Sequence, residues 1–204
     1  MIASDRLRAL LIWGVLALAL VVPLYAATQS PLLAWRRPIY IAAGFAGIVA
    51  MGLLLLQPLL MGGQLPGFRG PQGRRVHRWV GGGLVALVMA HVVGLWITSP
   101  PDVIDVLLFR SPTPFSFWGA IAMWAVFAAA SLAALRRRIM LRPQNWRRAH
   151  SLLVAAAVIG SVVHALQIEG TMETVSKWVL CGLVVGATLM TLSKRRVWGR
   201  PSSS

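Results

Sequence analysis

Residues 74–91 read Arg74-Arg75-Val76-His77-Arg78-Trp79-Val80-Gly81-Gly82-Gly83-Leu84-Val85-Ala86-Leu87-Val88-Met89-Ala90-His91. Residues 146–164 repeat the plan, from Trp146-Arg147-Arg148-Ala149-His150 to Gly160-Ser161-Val162-Val163-His164. Each stretch opens on arginines, places a histidine at the edge of an apolar run, and places a second histidine fourteen residues further on. Fourteen helical steps fall only about 40° short of four full turns, so each histidine pair lies on one face of its helix. The two members of a pair are about 21 Å apart along the axis, most of the hydrocarbon thickness of a bilayer. All four histidines of the chain lie in these two stretches.

The rest of the chain supports a membrane setting. It is 57% hydrophobic and 12% charged, where soluble domains run nearer 45–50% and about 25%. No Asp, Glu, Lys or Arg interrupts 9–35, 38–68, 79–101, 111–135 or 149–168, and a spanning helix needs roughly 20 such residues. A sixth apolar run, 178–193, extends back through Lys177, whose stem can snorkel to the interface. The reading is all-α: one six-helix integral membrane domain over 1–204, with helices at about 7–27, 39–61, 75–98, 115–135, 146–168 and 174–193. Gly62-Gly63, Pro66-Gly67, Gly70-Pro71, Pro100-Pro101, Pro112, Pro114 and Pro143 mark the breaks. Pro23 and Pro58 fall near helix ends, where a lost backbone bond matters least. Residues 197–204 read as a flexible tail. Arg6, Arg8 and the following apolar run share features with a cleaved signal peptide, but the run is long for one and reads as the first span.

Charge sets the expected orientation. Sixteen of the twenty basic residues fall at the two termini and in the loops between spans two and three and spans four and five. The other side holds Arg36, Arg37, Arg110 and Lys177, together with four of the five acids. By the positive-inside rule both termini are cytoplasmic. The same rule accounts for the net charge of +15, so nucleic-acid binding is not expected. Seven of the nine tryptophans, Trp35, Trp79, Trp96, Trp118, Trp146, Trp178 and Trp198, lie near predicted helix ends; Trp13 and Trp124 lie deeper. The one cysteine, Cys181, excludes an internal disulfide and reads as a packing residue.

The third and fifth spans run in the same direction. His77 then shares a level with His150, and His91 with His164. Two imidazoles facing one another at one level form the axial ligand set of a six-coordinate haem. The reading is therefore haem b held between the third and fifth helices, two haems expected and one retained as the alternative, with His77/His150 on the inner iron and His91/His164 on the outer. Zinc or copper fits poorly: histidines about 21 Å apart cannot share an ion. The face between the histidines is small or modest on both helices: Gly81, Leu84 and Val88 on one, Val154, Ala157 and Ser161 on the other. Gly81 to Gly83, Gly94 and Gly160 allow a ring to approach the backbone. Arg74, Arg78 and Arg147, with neighbouring Arg75 and Arg148, flank the inner pair and suit haem propionates.

With those residues in view, the chain resembles the ferric-reductase-like transmembrane family over about 39–194. That group takes in ferric reductases, the membrane core of NADPH oxidases and the haem-bearing membrane subunit of the bacterial methionine-sulfoxide reductase system. The resemblance rests on six helices, on Arg74-Arg75-Val76-His77 with His91, and on Trp146-Arg147-Arg148-Ala149-His150 with His164. It implies haem b near each membrane face. Ferric reductases and oxidases carry a cytoplasmic flavin and nicotinamide domain; these 204 residues contain no G-x-G-x-x-G stretch, so flavin is expected only through a partner or at the cytoplasmic surface. The histidine spacing also resembles the N-terminal part of quinol-oxidising cytochrome b.

The function expected is transmembrane electron transfer in a bacterial inner membrane, as an oxidoreductase component that needs a separate donor. The donor is a cytoplasmic flavoprotein reductase or quinol, and the acceptor a periplasmic protein or ferric iron. Two other readings stay open: a quinone-linked cytochrome b subunit of a larger complex, and a non-redox transporter or scaffold.

Overall fold

The computed structural model describes residues 2–194. The predicted tail at 197–204, Trp198, and the basic residues Arg195, Arg196 and Arg200 lie outside the described residues. Among the described residues, seven α-helices run in chain order: α1 Ile2–Thr28, α2 Pro38–Met61, α3 Gly70–Thr98, α4 Pro100–Leu107, α5 Pro114–Ala134, α6 Pro143–Gln167 and α7 Thr174–Lys194. All but α4 are long and apolar enough to cross a membrane. With the histidines of α3 and α6 as markers, one end of the bundle carries His91 and His164 and the other carries His77 and His150.

Prolines explain most of the helix starts. Pro38, Pro71, Pro100, Pro101, Pro114 and Pro143 sit in the first turns of α2 to α6, where a missing N–H costs nothing and a fixed φ favours the helix. Gly70-Pro71 marks the start of α3, five residues before the predicted position: Gly70 adopts φ +59, then the helix runs unbroken through both histidines. One difference from the sequence reading is that Pro100-Pro101 opens a short helix, α4, between the third and fourth predicted spans. Just past α4, Phe109 takes φ +57 and the Arg110 N–H donates to the Asp105 carbonyl at 2.7 Å, turning the chain back into the bundle.

The closest helix pairings are α2 with α3 and α5 with α6. In lipid, such approach depends on small residues rather than on hydrophobic drive. Gly94 of α3 packs on Ala43 of α2, so closely that an added Cβ would lie 2.7 Å from the Ala43 Cβ. Gly160 of α6 lies against α5, where a Cβ would meet the Trp118 carbonyl at 2.9 Å and the Ala122 nitrogen at 3.0 Å. The two hairpins are tied together by α7, which packs on α2, α6 and α1. Its Leu180, Cys181 and Val184 are fully buried with Leu54, Leu55, Val126 and Val158, and its Thr191 hydroxyl donates to the Pro58 carbonyl of α2 at 3.0 Å.

Lys177, expected to snorkel outward, is instead buried. Its ammonium donates to the Ile168 carbonyl at 2.8 Å and so satisfies an end group of α6 that has no helical partner. The outward faces of α1, α3, α5 and α7 are covered with exposed Leu, Val, Ile and Trp, as a lipid-facing surface requires. The chain is a multi-pass membrane protein.

Candidate functional site

The centre of interest is the meeting of α3 and α6 through His91 and His164. The two ring centroids are 6.5 Å apart and the ring planes cross at 86°. Each ring is anchored from behind. His91 Nδ1 lies 2.7 Å from the Ala43 carbonyl oxygen of α2, and His164 Nδ1 lies 2.7 Å from the Phe115 carbonyl oxygen of α5. A carbonyl has no proton to give, so each Nδ1 is the protonated donor and each Nε2 keeps its lone pair. This is the tautomer a metal-ligating histidine needs, fixed by an outer partner.

Two glycines make the anchoring geometrically feasible. Gly47, one turn after Ala43 on α2, lies under His91: a Cβ there would come within 3.1 Å of Nδ1. Gly119, one turn after Phe115 on α5, lies under His164: a Cβ there would come within 2.7 Å of Nδ1. In a helix the carbonyl of residue i points toward residue i+4. A side chain at i+4 would therefore cover the oxygen that each imidazole reaches. The device occurs twice: a carbonyl and a glycine four residues apart on one helix, and the histidine on the next. Sequence reasoning assigned both histidines and missed all four seat residues. The available signal was a glycine inside each of the spans that precede the histidine helices, Gly47 and Gly119.

His77 and His150 lie at the opposite end, both half-buried. Each is joined by unbroken helix to its partner fourteen residues away. The His150 ring stacks on Trp146, with centroids 5.1 Å apart and planes within 7°. Trp146 is held by its indole N–H, which donates to the Leu132 carbonyl at 3.1 Å, and the Arg136 guanidinium lies over its other face at 4.6 Å. A cleft of about 350 Å³ at this end is lined by Arg74 of α3, Trp146 and Arg147 of α6, and Arg136. Arg74 and Arg147, predicted as anion partners, are thus brought together. Arg78 is not in that cleft; with Arg75 and Trp79 it lines a separate open depression. The Arg148 Nε is buried with no hydrogen-bond partner among the described residues.

The stripe residues divide. Leu84 and Ala157 are buried in the helix packing. Gly81 faces α2, where an added Cβ would meet the Gln57 Nε2 at 3.2 Å. Gln57 is a further residue that sequence reasoning passed over, a polar side chain within a span whose Oε1 is buried with no donor among the described residues.

Six apolar spans, two of them bringing His91 and His164 together, define a multi-pass helical membrane protein. The family described as ferric reductase-like transmembrane component matches residues 43–161, more than half of the chain, and this protein belongs to that family. The matched region begins at Ala43, the carbonyl that holds His91, and includes α3, α5 and most of α6. Searches among curated proteins and among solved structures give no match.

Proposed function

We propose that this protein carries electrons across a bacterial inner membrane through two b-type haems held between α3 and α6. The observation that carries the reading is the His91–His164 pair. Two imidazoles bound through Nε2 to opposite sides of one iron, at about 2.0 Å each, have ring centres about 6 Å apart; here they are 6.5 Å apart. Both rings also present the required tautomer. The residues therefore fit a bis-imidazole haem at this end.

At the other end His77 and His150 would hold the second haem. Arg74, Arg147 and Arg148 supply donors for its propionates, since a buried guanidinium N–H without an acceptor is costly. A carboxylate in the cleft between Arg74 and Arg147 meets both charge and geometry. When bound, haem supplies the one-electron chemistry. The chain's own residues fix ligand identity, ring orientation, burial and nearby charge.

The orientation follows from the basic end, which is cytoplasmic by the positive-inside rule, as are both termini. Electrons enter beside His77 and His150 from a cytoplasmic flavoprotein reductase or from quinol. They leave beside His91 and His164 to ferric iron or a periplasmic protein. The deciding experiment is haem quantification by pyridine haemochrome on the purified protein, with a reduced-minus-oxidised spectrum. Two haems b per chain are expected. A folded, colourless protein that stays colourless on incubation with haem overturns the reading.

A further inference from the structure

We infer that Gly47 and Gly119 are positioning residues that lock the imidazoles of His91 and His164 at right angles, making the outer centre a crossed bis-imidazole haem. The inference rests on the haem reading above and adds the electronic character of one of its two sites. It comes from the two backbone seats. Each ring has one nitrogen pinned to a carbonyl at 2.7 Å and one side pressed against a glycine. An imidazole with a pinned Nδ1 and a blocked side cannot rotate about its iron bond. The two seats belong to different helices, α2 and α5, and together they set the planes at 86°.

Ring orientation has a spectroscopic consequence. In low-spin ferric haem each axial imidazole interacts with the iron d orbital perpendicular to its plane. Parallel rings load one of two near-equal d orbitals and split them, giving a rhombic resonance. Crossed rings load both equally and leave them nearly degenerate, giving one very large g value and two small ones. The carbonyl bonds add a second effect, because a donating Nδ1–H makes the ligand more electron-rich.

The test is low-temperature electron paramagnetic resonance on the purified, oxidised protein, with haem per chain measured on the same sample. The wild type should show a large-g signal of the crossed type. Gly119→Ala places a Cβ 2.7 Å from the His164 Nδ1 and should convert that signal to a rhombic one or abolish it, with haem at the inner site retained. Gly47→Ala, with its longer 3.1 Å contact, should shift the same signal less. Gly182→Ala, where nothing lies within 4 Å, should leave it unchanged. Wild-type protein that holds two haems with only rhombic signals overturns this inference and leaves the haem reading intact. Wild-type protein without haem overturns both. If Gly119→Ala does not fold, the wild-type signal and the Gly47→Ala shift still decide.

Discussion

His91 and His164 carry the strongest single-residue expectation. Replacing either by alanine should remove one haem of two, and the loss should be the same component whichever of the two is changed. Replacing His77 or His150 should remove the other. Haem stoichiometry with the difference spectrum checks this, and loss of a shared component on changing His77 and His91 would break the pairing. A second residue lies outside the spans. Glu173 accepts hydrogen bonds from the Val175 and Ser176 N–H groups at 2.7 Å each, capping α7. These bonds, that to Ser176 first, hold its carboxyl below the ordinary range. A carboxylate held lower in the folded state than in the unfolded one contributes stability at neutral pH and loses it as pH falls. The melting temperature in detergent should therefore drop as the pH falls below about 4, and Glu173→Gln should already have lost that part at neutral pH.

At the level of elements, the α5–α6 hairpin is held by a close backbone approach at Gly160. Gly160 lets α6 sit against the α5 backbone, and the atoms an extra methyl would meet are a carbonyl oxygen and an amide nitrogen. Backbone cannot yield as a flexible side chain can. Gly160→Ala should cost about 1–3 kcal/mol, read as a lowered melting temperature, and should weaken haem binding by moving His164 four residues away. Gly182→Ala, in the open face of α7, should be neutral or stabilising by up to about 1 kcal/mol. Equal effects from the two substitutions would mean that the α5–α6 contact is not tight.

For the whole molecule, the two histidine levels lie at opposite ends of α3 and α6, so the proposed electron path would run from one face of the membrane to the other. In sealed, right-side-out vesicles, a membrane-impermeant ferric chelate outside should oxidise the haem of protein reduced from within. His91→Ala should lose this oxidation while its inner haem remains reducible from the cytoplasmic side. Oxidation by the outside chelate that is unaffected by His91→Ala would place the exit elsewhere.

The sequence by itself determined the six apolar spans and which histidines share a helix. These follow from composition and from the helical period, which are local properties. Helices α1 and α3 start five residues before the predicted positions, α3 at Gly70-Pro71, and the other spans start and end within about three residues of theirs. Only the tertiary structure decided that α2 and α5 hold the histidines from behind. The carbonyls of Ala43 and Phe115 are backbone atoms, identical in every residue and silent in a sequence. Their meaning arises when a helix from elsewhere in the chain brings an imidazole to within 2.7 Å. The same holds for Arg74 and Arg147, which share a cleft while Arg78 turns away. A charge pattern gives the end of the bundle, but the rotation of each helix about its axis is set by packing against its neighbours.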